Sequence, residues 1–292
     1  MKGSPTLLAL LTQDSQAMTL PEYKQLQQVI IDLCGIALGD DKQYLIETRL
    51  AKLLAENGCE TYGQFAALCK TRMTPALKLK IIDAMTTRET LWFRDGHPFE
   101  MFKTELLPAL VAQHKATGRP IRIWSAACSS GQEPYSLAMC IIEYANATGN
   151  RDLLNHIQIK ATDIAPISIT LSKLGRYDAI AMSRGLDEMR KARFFEQQGK
   201  SWAVKPEVKQ LITFEPFNLQ DDPARLGQFN LIFMRNVAIY FSKEFKTGLF
   251  GRLATVLPPK GQLMLGSTES LVGLNTPFSP VRYGKTTVYQ KP

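Results

Sequence analysis

The chain has 292 residues, 45% of them hydrophobic and 21% charged, and a formal net charge of +8. That length suits one large domain, or a small domain beside a mid-sized one, and the ordinary composition argues against disorder. No stretch approaches the roughly 18 apolar residues of a membrane span, and the cysteines, without a CxxC pair, read as reduced thiols.

The apolar run at residues 7–11, behind Lys2, is too short for a signal-peptide core, so a cytoplasmic protein without membrane insertion is expected. Residues 1–85 carry equal numbers of acidic and basic side chains, and the positive excess therefore lies in the remainder. Such an excess suits nucleic acid, an anionic membrane surface or an acidic protein partner. The basic residues are scattered, which disfavours a dedicated nucleic-acid groove.

The spacing of Leu26, Val29, Ile30 and Leu33, and of Leu45, Leu50, Leu53 and Leu54, predicts helices, with Gly35, Gly39 and Gly58 between segments. Residues 61–69 and 75–85 add further helices, the Thr74-Pro75 pair suiting a helix start. Residues 1–85 thus read as a helical domain with a leading tail of about 19 residues and no evident catalytic cluster.

Residues 85–100, MTTRETLWFRDGHPFE, crowd arginines, acids, threonines and large aromatics into one stretch. Trp92 and Phe93 suit a buried role, whereas Arg88, Glu89, Thr90 and Arg94 are harder to explain as packing. A helix over residues 99–113 follows.

Residues 121–139, IRIWSAACSSGQEPYSLAM, open as a strand, pass through small residues and Gly131, and close as a helix whose start is marked by Pro134. A strand feeding a helix through such a loop is the ligand-binding corner of an open α/β sheet. An ordinary strand–loop–helix is the plain alternative. The loop is neither a P-loop nor a GxGxxG fingerprint. Glu133 sits where a phosphate site would avoid negative charge, so the corner suits a ligand carrying positive charge or hydroxyls.

Further strands are predicted at residues 157–162, 211–214, 229–234 and 262–266, with helices at 166–174 and 243–257. This alternation predicts a mostly parallel α/β sheet across residues 86–292. Residues 175–213 break the rhythm and read as an inserted subdomain, of a small β kind, since a structureless loop of that length is uncommon. Asp163 ends the second strand, where a carboxylate can accept both ribose hydroxyls of a nucleoside. Asn218 follows the third strand and Arg235-Asn236 the fourth. Each alone can be a turn residue; with Glu133 at the same sheet edge they predict a nucleoside-like ligand.

These segments resemble one family, the CheR-type chemotaxis receptor methyltransferases. The resemblance rests on TTRETLWFRD at 86–95, RIWSAACSSGQEPYSLAM at 122–139, ATDI at 161–164 and FNLIFMRNVAIYF at 229–241, with GSTESL at 266–271 closing the order. It implies an all-α N-terminal domain (1–85) followed by an S-adenosylmethionine-dependent, Rossmann-like methyltransferase domain (86–292) with a β subdomain at about 175–213. It also implies methylation of receptor glutamates, with S-adenosylhomocysteine as product and no metal. By motif position the cofactor contacts are Arg88, Thr90, Arg94, Glu133, Asp163, Asn218, Leu219, Arg235 and Asn236. Arg94 and Tyr240 are the catalytic candidates, Tyr240 lying near the methyl group. The implied partner is the cytoplasmic helical domain of methyl-accepting chemotaxis receptors, met by a monomer. Three positions depart from the family pattern. Arg88 stands where asparagine is usual, Gln132 replaces the first glutamate of EEPY, and Ser267-Thr268 replace a frequent His-Ser pair.

The implied chemistry explains what the chain lacks. A glutamate carboxylate, with an ordinary pKa of about 4.3, is already an anion near neutrality. The cofactor's sulfonium is already an electrophile, so neither a general base nor a metal is required. The protein has to align oxygen, carbon and sulfur and strip water from the carboxylate. His97, His114 and His156 are widely spaced, against a metallohydrolase or a serine or cysteine hydrolase, and Cys128 reads as a small core residue. Arg94 can grip both oxygens of the cofactor's carboxylate, or pair with Asp95 or Glu100. Tyr240 can orient a reacting oxygen, or simply close the 239–241 turn. Two rivals remain: a methyltransferase of RNA or DNA, marked by steep salt dependence, and a receptor-binding homologue without activity. The latter would be marked by loss of Asp163, Glu133 or Arg94, and all three are present.

Overall fold

The computed structural model describes residues 18–292. The chain divides into two compact units, one ending at Met85 and the other holding Thr86–Pro292 together with Cys34–Ile36. Among the described residues no helix is long and apolar enough to cross a membrane.

The first unit is built on four helices: α1 (Leu20–Cys34), α2 (Gln43–Glu56), α3 (Tyr62–Thr71) and α4 (Pro75–Met85). A capping box opens α1: the Thr19 N–H donates to Glu22 Oε2 at 2.8 Å and the Glu22 N–H to Thr19 Oγ1 at 3.5 Å. Thr61 and Thr74 cap α3 and α4 by accepting from Gln64 N and Leu77 N. Leu26, Val29, Ile30, Ile46, Leu50 and Leu53 are buried as the helical spacing predicts, except that Ile46 takes the place expected of Leu45, which is half-buried. Two adjacent apolar residues leave the phase of a helix ambiguous by one position.

In the second unit α5 (His97–Met101), a π turn (Phe102–Leu106) and α6 (Leu107–Thr117) replace the unbroken helix expected over residues 99–113. Pro108 lacks an N–H and crowds the carbonyl four residues before it; the wider turn just ahead absorbs the mismatch. Then β1 (Ile121–Ala126), α7 (Gln132–Ala147), β2 (Ile157–Asp163) and α8 (Pro166–Leu174) alternate as predicted.

The interval after α8 holds β3 (Arg176–Asp178), α9 (Ala179–Met182), α10 (Glu188–Phe194), β4 (Phe195–Gln198), β5 (Ser201–Val204) and α11 (Pro206–Lys209). Its strands pair antiparallel in the order β3-β5-β4 as a separate small sheet. The main sheet continues with β6 (Ile212–Pro216), β7 (Leu231–Phe233), α12 (Lys243–Thr255) and β8 (Gln262–Met264). A hairpin of β9 (Ser279–Tyr283) and β10 (Thr286–Gln290), not predicted from the hydropathy pattern, completes it.

The main sheet runs β6-β2-β1-β7-β8-β10-β9, parallel from β6 to β8 and antiparallel in the final hairpin. Its residues alternate between two cores. Ile123, Leu231, Phe233 and Met264 join one with Trp92, Phe102 and Tyr135, whereas Trp124, Ile232 and Leu263 join the other with Phe229, Phe250 and Leu253. Successive strand side chains point to opposite faces, and a sheet covered on both faces needs apolar residues at both parities. The chain travels outward through β2 and β6, then returns past β1 to β7. That reversal puts the topological switch point at the carboxyl ends of β1 and β7, the crevice where ligands of such sheets bind.

Candidate functional site

The loop from β1 to α7 turns through three left-handed residues, Ala127 (φ 58°), Ser129 (φ 50°) and Gly131 (φ 96°). A left-handed alanine costs roughly 1 kcal/mol. Two hydrogen bonds to β2 offset it: Cys128 N–H to the Thr162 carbonyl at 2.9 Å and Ser129 N–H to Asp163 Oδ2 at 2.8 Å. Ala165 N–H donates to the other oxygen of Asp163 at 2.9 Å. The buried Asp163 carboxylate is thereby oriented by backbone at the end of β2.

At Gly131 a Cβ would lie 3.1 Å from Ser172 Oγ and 3.2 Å from the Tyr177 hydroxyl. Small size here serves packing of the protein on itself. Tyr177 donates to the Ser130 carbonyl at 2.7 Å and Ser172 to the Ser129 carbonyl at 2.9 Å, so α8 and β3 both hold the loop. The helix α7 begins at Gln132, two residues before the Pro134 that marks it in the sequence. Pro134 falls within the first turn, whose N–H groups lack helical partners anyway.

The 88–95 segment lies against this loop. Ser129 Oγ donates to the Arg88 carbonyl at 3.1 Å, and Phe93 N–H donates to Ser136 Oγ at 3.1 Å. Trp92 is fully buried, edge-on to Tyr177 and Phe195, with Nε1 donating to the Ala181 carbonyl at 3.1 Å. Arg88 itself projects into solvent; Thr90 and Arg94 are half-buried. Among the described residues Arg94 makes no ion pair with Asp95 or Glu100, and the one hydrogen bond of its side chain reaches the Glu89 carbonyl at 3.4 Å.

Arg235, at the end of β7, has a side chain only 1% exposed. Its Nη2 donates to Asp95 Oδ2 at 2.7 Å and to the Arg94 carbonyl at 2.8 Å, and its Nη1 to Glu133 Oε2 at 3.3 Å. Its Nε is buried without a partner among the described residues. Glu133 also accepts from Ser125 Oγ at 2.8 Å. Burial pushes the Glu133 carboxyl up; Arg235 and Ser125 pull it back, and the Glu269 charge adds to the rise. Burial, with the Asp163 and Glu133 charges, pushes the Cys128 thiol well up, so it is no thiolate near neutrality.

Beyond β6, Phe217 N–H donates to the Asp163 carbonyl at 3.0 Å. Asn218 follows, half-buried, its Oδ1 accepting from Gln220 N at 3.0 Å, and Leu219 is buried. Asn236 is left-handed (φ 59°) and Tyr240 ends a short 3-10 turn, Ala238–Tyr240, with its ring packed on the second core. The Tyr240 hydroxyl has no hydrogen-bond partner among the described residues.

The structure thus brings Arg94, Glu133, Asp163, Arg235 and Asn236 to the ends of β1, β2 and β7, with Asn218 and Leu219 beyond β6. Arg88 enters the loop's hydrogen-bond network through its backbone, not its side chain. Two residues without an assigned role in the sequence reading belong to the same framework: Asp95, through Arg235, and Glu269, which accepts from the backbone of the loop after β7. The signal available for Glu269 is a lone acid just past a strand end, the same position type that marks Asp163. Chemically, this edge of the sheet combines a buried carboxylate, Asp163, with a half-buried arginine, Arg94. Among the described residues no group of three or more His, Cys, Asp or Glu is placed to hold a metal.

A family model described as the SAM-binding domain of CheR methyltransferases matches residues 88–287, and the all-alpha domain of the same family matches residues 21–86. The chain is 40% identical to chemotaxis protein methyltransferase Cher2 of Pseudomonas putida, over 92% of this chain and 97% of that one. It is 43% identical to chemotaxis protein methyltransferase 1 of Pseudomonas aeruginosa, over 88% and 93% of the two chains. With the chemotaxis protein methyltransferase of Vibrio parahaemolyticus the figures are 42%, 92% and 96%.

Proposed function

The chain belongs to the CheR methyltransferase family, and on that premise we propose that it methylates glutamate side chains of methyl-accepting chemotaxis receptors, forming methyl esters. In coarser terms it is a chemotaxis protein methyltransferase with an S-adenosylmethionine-binding domain. The crevice suits that cofactor. Asp163, its carboxylate oriented by two backbone amides, supports the reading as the acceptor for a ribose diol. Glu133 offers negative charge toward a cationic ligand, and Arg94 a fork for a carboxylate. Arg88, Thr90, Asn218, Leu219, Arg235 and Asn236 complete the proposed contacts. S-adenosylmethionine supplies the methyl group as a sulfonium electrophile, leaving as S-adenosylhomocysteine.

The chain's own residues bind, orient and exclude water. No proton has to be removed, because a glutamate acceptor arrives ionised. Tyr240 directs its hydroxyl to the acceptor carboxylate, holding one oxygen in line with the methyl group. No metal is part of this reading. The partner is the acidic helical cytoplasmic domain of the receptor, met in the cytoplasm by a monomer.

The observation that carries the reading is Arg94. Its carbonyl is tied to Arg235 beside Glu133, and its guanidinium, without an ion pair among the described residues, is available to an incoming carboxylate. The test is to supply labelled S-adenosylmethionine with receptor-containing membranes. Label should appear on the receptor as an ester, released as methanol by mild alkali, and should vanish when the accepting glutamates are changed to glutamine. Alkali-stable label, or label in RNA, overturns the assignment.

A further inference from the structure

Glu269 lies in the turn after β8 and has no cofactor contact assigned to it above, yet its carboxylate gathers the loop that follows β7. Oε2 accepts from Asn236 N at 2.6 Å and Gly266 N at 2.7 Å; Oε1 accepts from Val237 N at 3.0 Å and Ile239 N at 3.3 Å. N–H groups that converge from a left-handed turn make a concave nest for an anion. Here the anion is the chain's own. Gly266 is fitted to the same arrangement, since a Cβ there would lie 2.8 Å from both Asn236 Nδ2 and Glu269 Oε2.

We propose that Glu269 is a positioning residue for methyl transfer: by occupying this nest it sets the left-handed turn that presents Asn236 and Tyr240. The 3-10 bonds of residues 237–241 and the burial of Ala238 and Phe241 fix the far end of the loop, and the carboxylate fixes the near end, where the chain turns at Asn236. Asn236 at φ 59° pays a backbone penalty that a non-glycine residue accepts only when its surroundings over-determine it. Both oxygens are needed as acceptors. A glutamine of the same shape would turn an NH2 toward two N–H groups whichever way it faced, leaving donors opposed. The inference rests on the reading that Asn236 and Tyr240 serve the cofactor and the acceptor.

The test is a double-mutant cycle on calorimetric binding of S-adenosylhomocysteine, which needs no receptor. Glu269→Gln should weaken binding about tenfold or more, as expected for a charged hydrogen-bond network. Asn236→Ala should weaken it comparably alone but add little in the Glu269→Gln background. In receptor methylation, Glu269→Gln should lower kcat and leave the KM for receptor unchanged. Full additivity of the two substitutions overturns the proposal, as does a loss confined to thermal stability. Should Glu269→Gln fail to fold, the same cycle run with Glu269→Asp, which retains the anion, reads the same coupling. Wild-type protein that binds S-adenosylhomocysteine without methylating receptor would sink the receptor reading alone and leave the cycle to decide on Glu269.

Discussion

Arg235 Nη2 lies 2.7 Å from Asp95 Oδ2, and this pair, buried on its arginine side, ties the end of β7 to the segment that carries Arg94. The same guanidinium holds Glu133 and the Arg94 carbonyl, so its removal would strand carboxylates in a poorly hydrated place. Breaking a buried ion pair from one side typically costs about 3–5 kcal/mol. Arg235→Ala should lose stability on that scale in urea unfolding, and Arg235→Lys should recover only part, because a lysine cannot serve the divergent acceptors as a planar fork does. An unchanged urea midpoint for Arg235→Ala would dismiss the tie.

Asp163 carries the prediction for the cofactor. Each hydrogen bond to a charged group contributes about 1.5–3 kcal/mol, so Asp163→Ala should weaken S-adenosylhomocysteine binding by roughly one to a few powers of ten. Because its oxygens also hold the loop through Ser129 N and Ala165 N, unfolding must be followed in parallel. Calorimetry that returns wild-type affinity removes Asp163 from the site.

Glu143 supplies a pH dependence with a definite sign. Burial opposes its charge, but hydrogen bonds from Arg190 Nε at 2.7 Å and Nη2 at 3.1 Å, with the charges of Arg190 and Lys103, hold its carboxyl below the ordinary 4.5. A carboxyl depressed in the folded state stabilises fully above its unfolded value, and that contribution fades as pH falls through the folded one. Glu143→Gln should therefore cost about 1–3 kcal/mol near neutrality and much less in acid. Urea midpoints at about pH 7 and about pH 3 measure the difference; an equal deficit at both would refute it.

Gly185 supplies a backbone test. It sits at φ 88°, and a Cβ there would collide with the Trp92 carbonyl. Gly185→Ala should destabilise by about 2 kcal/mol or more, since both the conformation and the space exclude it. It should also loosen Trp92 from its edge-on contacts, seen as a red shift in tryptophan emission. Full wild-type stability would mean that Trp92 and Gly185 do not meet.

Much of this architecture is legible in the residues. The alternation of strands and helices from β1 to β8, the all-helical leading unit and the presence of a small β insertion follow from hydropathy period and from the length of the interval between α8 and β6, whereas the antiparallel pairing of that insertion does not. Asp163 and Glu133 can be singled out because one stands at a strand end and the other follows a run of small residues, in a first helical turn where a bound phosphate would be repelled. What escapes is what depends on partners distant in sequence. Arg235 is visible as a polar residue after a strand, but its commitment to Asp95, 140 positions away, is not. Glu269 looks like a surface acid until the loop after β7 is folded over it. The hairpin of β9 and β10 escapes for another reason. Its strands are short, and β9 has no fully buried residue, so the period of two is faint. The π turn before Pro108 is likewise a compromise between a helix and one residue, without a pattern of its own.

The strand order also dictates a sequence of events in time. Made after β9, β10 nevertheless lies between β9 and β8, pairing with both. While a ribosome is still extending the chain, β9 therefore has no place on the sheet. It can join only with β10, as a preformed ribbon or in a single closing step. Until then β8 is a bare margin of the nascent sheet, with Leu263 and Met264 at its centre. In that interval the growing polypeptide is most exposed to pairing with a neighbour, and a chaperone would have most to protect.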